Sequence, residues 1–215
     1  VANPMIGIID YGMGNLRSVQ KAFESLGSQA AILTTPDMID AQVSHLVLPG
    51  VGAFGDGMTH LRDRGWIDPI NDFYQSGKPM LGICLGMQLL MDSSEEDAPS
   101  KDEPIPGLGM VKGTVKLFAG DAYGPGKLKV PHMGWNSLNI QQDVSLFADA
   151  PENPHVYFVH GYYCSPSDSN VIIATTDYGS PFCSSLKQDN LWATQFHPEK
   201  SQRVGLKMLE NFAAC

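Results

Sequence analysis

One cysteine stands between two glycines in Lys78-Pro-Met-Leu-Gly-Ile-Cys-Leu-Gly-Met-Gln-Leu-Leu90, where an apolar run of strand length gives way to a segment of helical spacing. Gly82-Ile-Cys84-Leu-Gly86 has the spacing of the Gly-x-Ser-x-Gly nucleophile elbow. In that turn the nucleophile sits on a sharp, strained strand-to-helix junction, and the glycines let the two elements approach closely. Sulfur replaces oxygen here, so Cys84 is a candidate nucleophile. Backbone N–H groups opening the helix would favour its thiolate, and the N–H of Leu85 would point at the same reacting carbon as one oxyanion donor. A buried free cysteine is also a common core residue, so the elbow alone leaves both readings open.

The second feature lies near the other end of the chain. Leu191-Trp-Ala-Thr-Gln-Phe-His-Pro-Glu-Lys-Ser201 ends an apolar strand on a histidine and a glutamate two residues apart. Cysteine-dependent acyl transfer needs a group that moves protons between sulfur and a leaving nitrogen, which imidazole does near neutrality once a carboxylate fixes its tautomer. Cys84, His197 and Glu199 therefore read as nucleophile, base and orienting group. Pro49-Gly-Val-Gly-Ala-Phe54 follows the apolar run Leu46-Val47-Leu48. Its glycines would let backbone N–H groups approach a ligand, or simply serve a strand-to-helix connection that needs positive φ.

The order Cys, His, Glu, carried by Gly-Ile-Cys-Leu-Gly-Met-Gln and Gln-Phe-His-Pro-Glu-Lys-Ser, resembles the triad class of glutamine amidotransferases over nearly the whole chain. The resemblance implies hydrolysis of the glutamine side-chain amide through a glutamyl thioester on Cys84, with ammonia passed to an acceptor. A thioester divides a difficult amide hydrolysis into two easier steps, consistent with the residues themselves. It further implies that the Pro49–Gly52 loop supplies the second oxyanion donor, from Val51 or Gly52, by a peptide that turns to face the oxyanion.

Ile9-Asp-Tyr-Gly-Met-Gly-Asn-Leu-Arg-Ser18, Val130-Pro-His-Met-Gly-Trp-Asn136 and Tyr157-Phe-Val-His-Gly-Tyr162 are similar to signatures of one branch, the glutaminase subunits of imidazole glycerol phosphate synthases in histidine biosynthesis. In that branch the partner is a (β/α)8-barrel cyclase subunit, forming a heterodimer that makes imidazole glycerol phosphate and aminoimidazole carboxamide ribotide. Carried over position by position, Gln88, Glu96 and the backbone of His160, Gly161 and Tyr162 would hold the α-amino and α-carboxylate groups of L-glutamine. Asn15, Trp135, Tyr157 and Lys200 match positions that face the cyclase. Gly161 departs from the serine or threonine frequent there, so only a backbone contact is implied. Without the resemblance, Trp135 and Tyr157 read as core aromatics and Lys200 as a solvated charge.

These residues need a frame. Met5–Ile9, Ala30–Leu33, His45–Leu48 and Met80–Ile83 are short apolar runs separated by helical-length segments, which predicts βαβ units and a parallel sheet. Cys84 then lies at the carboxyl end of a strand, where ligands bind in open α/β sheets. Ser18 to Leu26 reads as a helix ended by Gly27. Beyond residue 107 the pattern changes to closely spaced strands at 113–118, 156–159, 171–175 and 191–196, before a final helix from Ser201. The expected α/β fold is a mixed, mostly parallel central sheet flanked by helices, with antiparallel strands added in the C-terminal half. This is the flavodoxin-like form that the resemblance implies. The acidic, Pro-containing segment Ser93–Pro106 reads as a mobile-looking loop near Glu96.

Composition narrows the function classes. A length of 215 residues, 43% hydrophobic and 17% charged, fits one domain over residues 1–215. A formal charge of −9 argues against nucleic acid or an anionic membrane as partner. The opening residues lack the basic-then-apolar pattern of a signal peptide and no run is apolar enough to span a bilayer, so a cytoplasmic enzyme is expected. Cysteines 84, 164, 183 and 215 include no Cys-x-x-Cys, and His155, His160 and Cys164 match no standard metal spacing, so neither metal nor cofactor is expected. Asp10-Tyr-Gly-Met-Gly14 lacks the third glycine of a dinucleotide loop, Arg17 standing in its place, and there is no Walker lysine. Acceptor chemistry must then lie on another chain.

Overall fold

The computed structural model describes residues 4–100 and 102–215. Its first half alternates strand and helix: β1 (Met5–Ile9), α1 (Leu16–Ser25), β2 (Gln29–Leu33), β3 (Val43–Gly50), α2 (Phe54–Asp63), α3 (Ile67–Gln75), β4 (Met80–Cys84) and the short α4 (Leu85–Leu89). Strands dominate the second half: β5 (Met91–Ser94), β6 (Ile105–Pro106), β7 (Val111–Leu117), β8 (His132–Ser137), β9 (Asn139–Ile140), β10 (His155–His160), β11 (Tyr162–Pro166), β12 (Ile172–Asp177), β13 (Pro181–Gln188) and β14 (Leu191–Thr194). Helix α5 (Gln202–Ala213) closes the chain. Among the described residues, twelve strands join one mixed sheet in the order β2-β1-β3-β4-β14-β13-β11-β7-β5-β6, with β12 and β9 branching from β13. The antiparallel pair β8–β10 stands apart as a ribbon.

The segment β2-β1-β3-β4-β14 is parallel throughout and has the strand order of a flavodoxin-like sheet. Helices cover both of its faces, so its central strands are apolar on both sides, and β4 is buried along its whole length. Alternation divides the core: Leu46 and Leu48 pack with Phe54, Leu61 and Trp66 on one face, while Val47 packs with Phe23, Phe158, Phe196 and Phe212 on the other. Helix α1 faces this second layer with Val19, Ala22 and Phe23, the spacing of one helical face. It ends at Gly27, whose φ of +82° is the left-handed stop that glycine adopts without strain.

The fold expected from the sequence is the fold observed, and the differences lie in individual strands of the second half. Strand β13 was not among the expected strands although it lies mid-sheet. Its centre, Phe182-Cys-Ser-Ser-Leu186, is buried on both faces, and its serines hide a polar signal inside the core, where Ser185 Oγ donates to Ala193 O at 2.7 Å. The ribbon strand β8 also lacks a clear apolar alternation. The acidic segment 93–106, of which Lys101 lies outside the described residues, is not a free loop: Ser93 and Ser94 pair with Pro106 and Ile105, pinning both of its ends.

Candidate active site

Strand β4 runs into α4 without a linker, and the residue at the junction is Cys84, with φ +55° and ψ −109°. L-residues rarely adopt this conformation, which costs on the order of 1–3 kcal/mol and persists only where the surroundings over-determine it. Here β3 and β14 hold β4 on either side. The flanking glycines have a steric origin. A Cβ on Gly86 would lie 1.8 Å from the Leu48 carbonyl oxygen, and one on Gly82 would lie 2.7 Å from Leu90 Cδ1 and 3.0 Å from the Met87 nitrogen. Helix α4 has only five residues, about one and a half turns. Its effect on the sulfur therefore comes from its first free N–H groups rather than from a long aligned dipole.

Strand β14 is the parallel neighbour of β4, with Thr194 beside Ile83. The two chains leave the sheet at the same end, which brings His197 to Cys84. Pro198 opens a 3-10 turn over Pro198–Lys200 that folds Glu199 back onto the ring, so that His197 Nδ1 lies 2.8 Å from Glu199 Oε1. Both side chains are almost wholly enclosed, at 2% and 1% exposure. Burial disfavours an imidazolium, but Cys84 and Glu199 outweigh it and push the His197 pKa up to about 10. The surroundings of the ring thus favour its protonated form over the neutral one. Its Nε2 and the second oxygen of Glu199 close no hydrogen bond among the described residues, the loose geometry expected of a proton-transfer group before substrate arrives.

In front of Cys84 lies a cavity of about 190 Å³. Val51, Gly52, Leu85, Gln88, Glu96, His160, Gly161 and Tyr162 all line it, so every position expected for oxyanion or glutamine contact lies on its wall. Val159 completes the lining. The space is below the roughly 300–1,000 Å³ of pockets for drug-sized ligands, which suits a ligand the size of an amino acid. Glu96 Oε2 accepts the Phe54 N–H at 2.8 Å, tying it to the start of α2. Burial, with Asp97 and Asp56 adding repulsion, raises the Glu96 pKa against that hydrogen bond. Gln88 Nε2 donates to Tyr162 O at 3.0 Å and to Gln195 Oε1 at 3.1 Å, leaving the Gln88 amide oxygen without a partner among the described residues.

Gln195 is the residue that sequence reasoning quoted in a motif but left without a role. It is fully buried, and its Nε2 lies 3.8 Å from Cys84 Sγ. The available signal was its place directly after β14 and two residues before the base, since the strand itself ends at Thr194. Of the four positions expected to face a partner, Asn15, Trp135 and Lys200 are exposed and Tyr157 is half-buried. Trp135 and Tyr157 are opposite one another in the ribbon, with ring centroids 6.1 Å apart. Asn15 follows β1 and Lys200 follows β14, at the same end of the parallel strands. Cys164 and Cys183 face each other across β11 and β13, and burial pushes both thiols up, Cys183 to about 12, so neither rivals Cys84 as a nucleophile. Among the described residues no group of three His, Cys, Asp or Glu could hold a metal ion.

The family model for glutamine amidotransferase class-I matches residues 7–214. The chain belongs to the class-I glutamine amidotransferases. This amidotransferase is 52% identical to the imidazole glycerol phosphate synthase subunit HisH of Syntrophotalea carbinolica, over 97% of this chain and 98% of that protein. It is 45% identical to the subunit of the same name from Aquifex aeolicus, over 95% and 94%. Among solved structures, PurLQS from Thermotoga maritima superposes with a TM-score of 0.74 at 18% identity, covering 98% of each chain. A solved glutamine amidotransferase gives 0.71 at 18% identity over 98% of this chain and 99% of the other. These two show the amidotransferase fold alone, with the open sheet and flanking helices described above.

Proposed function

We propose that this chain is the glutamine amidotransferase subunit of an imidazole glycerol phosphate synthase, acting in histidine biosynthesis. The observation that carries the reading is the strained Cys84 elbow with the enclosed His197–Glu199 pair beside it. Cys84 Sγ attacks the side-chain carbonyl carbon of glutamine, and the tetrahedral oxyanion is met by the N–H of Leu85 and by one from Val51 or Gly52. Each such donor is worth about 2.7–4 kcal/mol of transition-state stabilisation. Collapse breaks the C–N bond while His197 gives its proton to the departing nitrogen. The thioester that remains is opened by water, from which His197 takes a proton, and glutamate leaves. Glu199 holds the ring throughout and offsets its charge.

Gln88, Glu96 and the backbone at His160, Gly161 and Tyr162 hold the α-amino and α-carboxylate groups. The unpaired Gln88 oxygen and the Glu96 carboxylate suit an ammonium. Ammonia passes to a (β/α)8-barrel cyclase subunit, which docks over Asn15, Trp135, Tyr157 and Lys200 to form a heterodimer. The relatives from Syntrophotalea carbinolica and Aquifex aeolicus are named as subunits of this synthase, which supports the pairing. Residues 1–215 act as one domain without cofactor or metal. A cytoplasmic place fits a biosynthetic subunit, and among the described residues no helix is long and apolar enough to cross a membrane.

The test is glutamate release from glutamine by the chain alone and with the cyclase subunit and its ribonucleotide ligand, with Cys84→Ala as blank. Stimulation by the liganded cyclase that vanishes in the blank is expected. Rapid turnover that the cyclase leaves unchanged would keep the cysteine chemistry and overturn the assigned partner.

A further inference from the structure

Beyond Gln88, the hydrogen bonds do not stop. The Tyr162 carbonyl that accepts from Gln88 also takes His160 Nδ1 at 2.7 Å. His160 Nε2 lies 3.1 Å from His132 Nδ1, and His132 Nε2 lies 3.4 Å from Asn136 Nδ2. A single run of polar groups therefore leads from Cys84 through Gln195, Gln88 and the Tyr162 carbonyl to the ribbon β8–β10.

The direction of each bond follows from chemistry. A carbonyl can only accept, so His160 Nδ1 carries a proton. Burial, reinforced by His132 and His197, opposes charge on His160 despite its bond to Tyr162 and pushes its pKa down to about 3, and burial pushes His132 to about 4. Both rings are neutral at pH 7. A neutral imidazole has one donor and one acceptor, so His160 Nε2 must accept, His132 Nδ1 must donate, and His132 Nε2 must accept. The far end gives the same answer independently. Asn136 Oδ1 accepts the Ser137 N–H at 2.8 Å and its Nδ2 donates to Asp177 O at 2.9 Å, so the amide presents its nitrogen to His132. Aromatic rings fix the imidazoles: His132 is stacked between Phe158 and Tyr178, with centroids at 4.8 and 3.9 Å, and His160 packs on Phe118 and Phe182.

We infer that His132 is a positioning residue for the glutamine site: by donating from Nδ1 it holds His160 in the Nδ1–H tautomer, and through His160 it holds the Tyr162 carbonyl that orients Gln88. In the other tautomer, the lone pairs of His160 Nδ1 and Tyr162 O would oppose each other at 2.7 Å. The carbonyl would have to move. Gln88 would then lose one of the two acceptors that take its N–H groups, and its amide could turn to present a donor where the ligand's ammonium needs an acceptor. This inference rests on the cavity being a glutamine site. It predicts that ligand affinity, rather than the chemical step, depends on a histidine that does not line the cavity.

The experiment combines tautomer measurement with kinetics. Imidazole ¹⁵N NMR of the chain at pH 7 should show the Nδ1–H form at both His132 and His160. In His132→Phe, which keeps a ring between Phe158 and Tyr178, the His160 signals should move toward a mixture of tautomers. With the cyclase subunit and its ligand present, KM for glutamine should rise about 3- to 10-fold, the effect of one displaced hydrogen bond, while kcat changes less than about 2-fold. His132→Asn, whose amide restores a donor, should return KM to within about 2-fold of the parent. An Nε2–H proton on His160 in the parent protein, a kcat loss without a KM change, or a His132→Asn variant as impaired as His132→Phe would each overturn the inference. A parent protein that releases no glutamate at all would instead overturn the function assigned to the cavity, and it is seen before any variant is made.

Discussion

The backbone N–H of His197 donates to the carbonyl oxygen of Tyr157 at 3.0 Å. Two further bonds close a ring around it: the Tyr157 N–H donates to Ser201 Oγ at 3.0 Å, and Ser201 Oγ donates to the His197 carbonyl at 2.6 Å. The base is thus clasped to a ribbon that forms its own two-stranded sheet, and two of the three bonds pass through one fully buried hydroxyl.

Ser201→Ala removes that hydroxyl and leaves the Tyr157 N–H and the His197 carbonyl without it. An unsatisfied buried group costs about 1–3 kcal/mol, so the melting temperature should fall accordingly. Because the freed segment carries the base, kcat for glutamate release should fall more than KM rises. Equal effects on both, or an unchanged melting temperature, would count against the clasp.

The His197 proton gives a pH signature. Its pKa is raised from the ordinary 6.5 to about 10, so the folded state gains stability from this group that is complete below about pH 6.5. That stability is lost as pH rises through about 10. NMR titration should place the His197 transition near 10 in the parent protein and lower in Cys84→Ala and Glu199→Gln. A transition near 6.5 in the parent would mean that the sulfur and the carboxylate do not stabilise the imidazolium.

Strain at the elbow separates stability from activity. Cys84→Gly places at φ +55° the one residue that tolerates it, so the variant should fold at least as stably as the parent, by up to about 1 kcal/mol after the lost packing of the thiol, and release no glutamate. Gly86→Ala should do the opposite kind of damage. Its Cβ would meet the Leu48 carbonyl at 1.8 Å, and because both partners are backbone, the loss should be at least about 2–3 kcal/mol. Thermal denaturation of the two variants checks both.

Glu96 should make glutamine binding sensitive to mild acid. Its pKa is raised, chiefly by burial, and pairing with an ammonium requires the ionised form. KM should therefore begin to rise on acidification at a pH above the ordinary glutamate range, about 4.3. Glu96→Gln, which can still accept from the Phe54 N–H, should raise KM roughly 10-fold, within the cost of a charge-assisted hydrogen bond, and flatten this dependence. The pH profile of KM in the two proteins is the measurement.

What could be read in advance was whatever repeats or clusters locally. The elbow, the His-Pro-Glu turn and the glycine-rich loop are each contiguous, and the apolar runs β1, β3 and β4 declare themselves because a doubly covered parallel strand is apolar throughout. Gln195 was half legible, since it follows β14 directly and stands two residues before His197. His132 carried no such signal. Its partners come from His160, 28 residues on, and its role exists only through the register of β8 with β10, which sets His132 opposite His160. Strand β13 was hidden for a related reason: serines buried against neighbouring backbone look polar in sequence and behave as core in the sheet.

Cys84 and His197 leave adjacent strands of the sheet at the same end, yet about half of the chain lies between them in sequence. Their separation is consequently set across a ladder spacing of about 4.8 Å, and the number of residues between them does not enter into it. The connections between β5 and β13 can lengthen, shorten or change their surface, and with it what is offered to a synthase, while the strands that carry the reacting pair and the ribbon that clasps the base stay in place. One hydrolytic engine can in this way be fitted to many different machines.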